Sequence, residues 1–95
     1  LGIHRHGDSR ACGATTVVTG QRTVYADGKL VAVDGDANTD GNGNLVAASN
    51  NVYIGGKRVV INGNSAGPDG LCIPIGAAHC APNASSGSST VSVGS

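Results

Sequence analysis

The chain has 95 residues, zero formal net charge, sixteen glycines, two tyrosines and no Phe, Trp or Met. It is one small domain, residues 1–95, near the size at which a single core barely suffices, and that core must be built from Val, Ile, Leu and Ala. The balanced charge argues against a nucleic-acid or anionic-membrane binder, no apolar run approaches the ~18 residues of a spanning helix, and no signal peptide is visible.

Leu1-Gly2-Ile3-His4-Arg5-His6 alternates apolar or small residues with polar ones, as an edge strand would. Asp8 to Gly13 is a turn carrying Cys12. Two short β-branched runs follow, Thr15-Thr16-Val17-Val18 and Arg22-Thr23-Val24-Tyr25-Ala26. Asp27-Gly28 predicts a tight hairpin, because both central positions of that turn need positive φ. Residues 29–33 return, ending at the turn Asp34-Gly35-Asp36.

A second unit repeats the script 28 residues on, without a gap, from Val24-Tyr25 to Val52-Tyr53. Here Gly55-Gly56 takes the hairpin turn and Asn62-Gly63-Asn64 the closing one. Ser89-Thr90-Val91-Ser92-Val93 reads as a third arrival at the same strand. The units run roughly over 3–36, 37–64 and 65–95, and a period of this length points to a repeat architecture. The third unit holds about eleven extra residues, with Pro68, Cys72 and Pro74 among them. No segment shows a 3.6-residue period with caps, so no helix is expected. The run 84–89 reads either as a short strand or as a loose crossing. The return runs 30–33 and 58–61 are expected to present an apolar row at the surface. Asp8, Asp36 and Asn64 recur at the closing turns, where Asx side chains bond their own backbone.

So many glycines and so little bulk call for a staple. Counting back twelve residues from Val24, Val52 and Val91 superposes Cys12, Asp40 and His79. The insertion adds Cys72, eight residues before Cys80. Thiolate and imidazole are preferred zinc ligands, and a closed four-ligand site is structural. The expected ligands are Cys12, Cys72 and His79 with Cys80 fourth; His4, His6 and Asp40 are the substitutes for the last place. Three buried small cysteines beside a surface His, or a Cys72–Cys80 or Cys12–Cys80 disulfide, are the competing arrangements. His4 and His6 are expected in ordinary hydrogen bonds before metal. Nucleophilic catalysis is disfavoured, because strand neighbours such as His79 and Cys80 point to opposite faces. No large side chains are on hand to shape a substrate pocket.

Gly-Asp, a ligand four residues later, a strand, then Val-x-x-x-Gly-Lys and a return to Gly-Asp resembles the PAAR-repeat family over nearly the whole chain, from Ile3 to Val93. The likeness is to its spike-tip members from T4-type contractile-tailed phages. The name-giving Pro-Ala-Ala-Arg falls on Leu30-Val31-Ala32-Val33 and Arg58-Val59-Val60-Ile61, where one residue of it survives. Cys12 and His79 match the family's ligand positions, while Asp40-Gly41 stands where its second repeat carries Cys and His. The resemblance implies an all-β cone of three pseudo-repeats with pseudo-threefold symmetry and a metal-pinned apex. The metal is expected to be zinc, with iron the substitute. It further implies a non-enzymatic protein made in the host cytoplasm and carried in the virion, at the tip of the baseplate spike. As a monomer it would cap a trimeric β-helical spike and touch the target membrane transiently; a type VI secretion machine offers the same seat. A small β-prism-like carbohydrate-binding module and a zinc-stabilised interaction adaptor are the alternatives.

Overall fold

A computed structural model describes residues 1–47 and 50–93, so the last two residues of the third unit lie outside the described part. The fold is small and all-β: eight two-residue strands and one 3-10 turn, with no α-helix among the described residues. The strands are β1 (Thr16–Val17), β2 (Tyr25–Ala26), β3 (Lys29–Leu30), β4 (Ala37–Asn38), β5 (Leu45–Val46), β6 (Tyr53–Ile54), β7 (Lys57–Arg58) and β8 (Ser65–Ala66). The 3-10 turn, Ala77–Cys80, holds both His79 and Cys80, so these two are not the strand neighbours expected.

The repeat is visible bond by bond. Hairpin β2–β3 pairs Tyr25 with Leu30 and Ala26 with Lys29. Hairpin β6–β7 pairs Tyr53 with Arg58 and Ile54 with Lys57, the same register 28 residues on. Both turns use left-handed backbone, at Asp27-Gly28 and Gly55-Gly56, as their sequences demand. Antiparallel pairs β1–β4 and β5–β8 join successive units, since β4 opens the second unit and β8 the third. At the closing turns, the side chains of Asp8, Asp36 and Asn64 accept bonds from the amides of Arg5, Val33 and Ile61 at 2.8, 2.9 and 2.9 Å. Gly7, Gly35 and Gly63 supply the positive φ between them, at 84°, 92° and 93°.

Residues 3–5, 31–33 and 59–61 pair with one another in a closed circuit. Arg5 lies opposite Val31, Val33 opposite Val59, and Ile61 opposite Ile3. At its centre the His4 amide donates to Val60 O, the Val60 amide to Ala32 O, and the Ala32 amide to His4 O, at 2.9, 3.0 and 2.9 Å. His4, Ala32 and Val60 are all fully buried. Each tube segment also borrows an outer partner: Val31, Val59 and Ile3 donate to the carbonyls of Val24, Val52 and Val91.

Two expectations are corrected by this ring. Residues 1–6 are not an edge strand, because they pair with the distant run 91–93 and with both return runs, Arg5 with Val31 and Ile3 with Ile61. The return runs do not present an apolar row either: from Val31 to Val33 and from Val59 to Ile61 every residue is buried. Pairing with one another satisfies their edges and covers both faces. The outer runs do expose apolar residues, at Val24, Tyr25, Val52, Tyr53 and Val91.

Packing follows the same equivalence. Ala32 and Val60 pack with Leu45 and Ala84, while Ile3, Val31 and Val59 form a second cluster with Ala26. In the first unit the corresponding places are taken by His4 and Thr16, a polar pair inside an apolar layer. Polar groups persist there only if bonded. His4 Nδ1 lies 2.7 Å from Ser86 O and Nε2 lies 2.5 Å from Thr16 Oγ1. A carbonyl only accepts, so Nδ1 carries the proton and Nε2 receives the Thr16 hydroxyl. Both ring nitrogens of His4 are thus taken, and His6 Nδ1 accepts from the Val18 amide at 3.1 Å. The run 84–89 is a crossing rather than a strand, anchored where the Ser88 amide donates to Ile3 O at 2.8 Å.

Burial holds the His4 pKa below its usual 6.5, against the raising influence of the Ser86 carbonyl and Asp8; Arg10 and Arg5 add to the lowering. The unfolded chain therefore binds a proton that the fold refuses. The stability so gained is fully present above pH ~6.5 and is lost as pH falls from there through the lowered folded value. Urea midpoints measured between pH 7.5 and 5 are expected to fall for the native chain and to flatten in His4→Gln. An equal slope in both would place the proton elsewhere.

Candidate metal centre

The turn after Asp8 and the turn after Asp36 are built alike. The Arg10 amide donates to Ala14 O and Gly13 N to Arg10 O; the Asn38 amide donates to Asn42 O and Gly41 N to Asn38 O. Cys12 and Asp40 therefore occupy the same corner of successive units, as the repeat predicts. The insertion reaches that corner from the third side. Asn42 pairs with Asp69, the Gly70 amide donates to Gly41 O, and the Asp69 amide to His79 O.

Four ligand atoms, from Cys12, Asp40, Asp69 and His79, lie within 4.8 Å of one another. His79 Nδ1 is 3.1 Å from Asp69 Oδ2 and 3.5 Å from Asp40 Oδ2, and Cys12 Sγ is 3.5 Å from Asp69 Oδ2. Ligand atoms at the corners of a zinc tetrahedron are ~3.3–3.8 Å apart, given bonds of ~2.0–2.3 Å. The spacing and the donor types, one thiol, one imidazole and two carboxylates, both suit a divalent first-row metal.

Asp69 is the hub. Its Oδ2 also accepts from Asn38 Nδ2 at 3.2 Å, and its Oδ1 from the Leu71 amide at 2.9 Å. Desolvation pushes its carboxyl up, but bonds from His79, Leu71, Asn38 and Cys12 outweigh that and hold it below the usual carboxylate value. Cys12 is shifted the other way: desolvation, then the neighbouring Asp69 and Asp40, raise its thiol against a lowering bond from the Ala14 backbone. A cation placed among these groups would favour the thiolate over the thiol.

Cys72 and Cys80, expected as ligands beside Cys12 and His79, stand differently. They are bonded to each other in a disulfide with Cα atoms 4.6 Å apart, leaving Cys12 as the free cysteine. A disulfide sulfur is not a thiolate, so this pair supplies no ligand in that state. It closes a loop that holds His79 and begins three residues after Asp69, and so restrains the chain that carries ligands instead of supplying two. Of the substitutes, Asp40 is in the cluster and His4 and His6 are not. Asp69 escapes sequence reasoning because thiolates outrank a carboxylate inside the insertion. Its signal is its place: the acidic residue of the insertion, beside a proline.

Behind the cluster lies Arg10, 2% exposed. Its guanidinium donates to Thr16 Oγ1, Gly43 O, Pro82 O and Asp36 O, at 2.6, 2.7, 2.9 and 3.2 Å. Those acceptors come from all three units, and none is a carboxylate.

On the outer runs, Tyr53 is partly occupied. The Arg58 guanidinium lies over its ring at 5.3 Å and donates to its hydroxyl at 2.6 Å. No protein-family model matches the chain, and no curated protein matches it.

Proposed function

We propose that this protein is the tip of a contractile injection machine. It is read as a small metal-pinned cone that caps a trimeric β-helical central spike, sharpens it and helps it through the target envelope. The observation that carries the reading is the closed circuit of residues 3–5, 31–33 and 59–61. One chain with three near-equivalent edges can sit on a homotrimer's axis, each edge meeting one subunit. Val24, Val52 and Val91, equivalent by their bonds to the ring, are exposed to nearly equal extents, at 41%, 43% and 37%. With Tyr25 and Tyr53 they supply an apolar base suited to the blunt end of a β-helix. The Arg58 guanidinium over Tyr53 speaks against a sugar-stacking module.

At the other end of each unit, the turns holding Cys12 and Asp40, joined by Asp69 and His79, form the pinned apex. The bound metal is read as zinc, one ion per chain, and what it supplies is a cross-link. Cys12 would bind it as thiolate, His79 through Nδ1, and Asp40 and Asp69 through carboxylate oxygens. The role is mechanical, with no turnover, at the tip of a virion's baseplate spike or its secretion counterpart.

Native mass spectrometry with the trimeric β-helical spike of the same machine tests the capping. One chain per trimer is expected, with affinity at least tenfold weaker in Tyr25→Asp/Tyr53→Asp. No complex, or three chains per trimer, would refute it.

A further inference from the structure

The insertion carries more than ligands. From Gly70 to Pro82 there is no Asp, Glu, Lys or Arg, and within that run Cys72-Ile73-Pro74-Ile75-Gly76 is closed by the Cys72–Cys80 disulfide. Ile73 is 96% exposed and Ile75 63%, the two most exposed large aliphatic side chains described. In a chain so short of bulk, two isoleucines held out in solvent are a cost to solubility with no return in the core.

We infer that this disulfide-closed loop is a lipid-insertion wedge, whose partner is the hydrocarbon boundary of an uncharged bilayer surface. Three features favour lipid over a protein. A stable protein interface needs roughly 800 Å² per partner around a central anchor. Two aliphatics flanking a proline make a convex point far smaller than that. A fluid apolar phase accepts such a point without matching its shape.

Most of the loop's backbone amides are also already bonded. Those of Leu71 and Cys72 bond to Asp69, those of Ile75 and Gly76 to Leu71 O, and Pro74 has no N–H, which leaves the Ile73 amide as the one to be desolvated between Leu71 and Gly76. Unsatisfied amides are what most oppose entry into hydrocarbon. The one titratable side chain of the run, His79, is turned onto Asp69 and Asp40. Lastly, the absence of Lys and Arg removes the attraction that would direct the loop to anionic headgroups. Binding is therefore set by apolar area and is insensitive to salt.

The wedge rests on the spike-tip reading for its setting but not for its physics. A test on the isolated full chain separates the two, since failure here leaves spike capping untouched. Vesicles of phosphatidylcholine, with and without phosphatidylserine, are floated with the native chain and with Ile73→Ser/Ile75→Ser. Both positions are exposed, so the double variant keeps its melting temperature. Expected is flotation with both vesicle types, unchanged between low and high salt. Each isoleucine lost should lower the partition coefficient about tenfold. An Ile73→Trp variant should shift its emission to the blue on binding and be quenched by brominated acyl chains. No flotation, flotation unaffected by the double substitution, flotation that requires phosphatidylserine and disappears in salt, or an introduced indole whose emission stays that of water would each overturn the inference.

Discussion

Arg10→Ala is expected to bring the chain close to unfolding at room temperature. Four oxygens from three units lose their donor at once, and each buried polar group left unsatisfied costs ~1–3 kcal/mol. The cavity left by the side chain adds to that. A loss of roughly 4 kcal/mol or more compares with the ~5–14 kcal/mol that holds a domain of this size together. Burial presses the guanidinium's pKa downward, against the pull of Cys12, Asp36 and Asp69, and the four hydrogen bonds stand in for the water that the buried charge has lost. Arg10→Lys should recover little, since a point ammonium with three donors cannot span four acceptors placed for a planar fork. Urea titration followed by far-UV circular dichroism measures both. Stability within ~1 kcal/mol of the native chain in Arg10→Ala would show that the turns are held together by other contacts.

The second large effect concerns the cluster. Protein purified without chelator is expected to carry about one equivalent of divalent metal, read by plasma mass spectrometry, because the donor set is closed at four. Stripping it should lower the melting temperature by 10 °C or more, on the order of several kcal/mol for a domain this small. Asp69→Ala should abolish metal binding, whereas Asp69→Asn, which keeps the accepting oxygen, should bind more weakly yet stay folded. If the metal-free chain melts as the native one does, hydrogen bonds from Cys12, Asn38 and His79 to Asp69 close the corner unaided. Cys72→Ser/Cys80→Ser separates the two sets of expected ligands: metal retained at reduced affinity assigns the disulfide to restraint, while metal lost entirely assigns those sulfurs to ligation.

Much of this can be read from residues alone, and for identifiable reasons. Asp27-Gly28 and Gly55-Gly56 announce their hairpins because the turn needs backbone that few other pairs adopt. Asp8, Asp36 and Asn64 announce their turns because their side chains bond locally. Cys12 and Asp40 are placed in one corner by the repeat itself. What escapes is non-local. Residues 1–6 look like an edge because nothing in their own pattern reveals that residues 91–93 lie alongside. The return runs look like a surface row because Val and Ala read alike inside a tube and on its wall. Arg10 gives no sign of burial, since most of its acceptors are backbone carbonyls scattered over the three units. The pairing of Cys72 with Cys80 stands among the alternatives, and geometry rather than spacing distinguishes it.

The ring through His4, Ala32 and Val60 has a kinetic side. Its three hydrogen bonds join residues 28 or 56 apart in sequence, and the segment around His4 is completed by a strand almost ninety residues later. Hairpins β2–β3 and β6–β7 can form as they emerge, but the circuit cannot shut until its third side and the final strand are both present. Chains whose partners are this distant pay loop-closure entropy before any contact repays it, and they fold slowly. Until then the paired edges of the finished tube are open ladders, available to any neighbouring copy. Three copies in one chain thus trade an assembly problem between subunits for a waiting time within one.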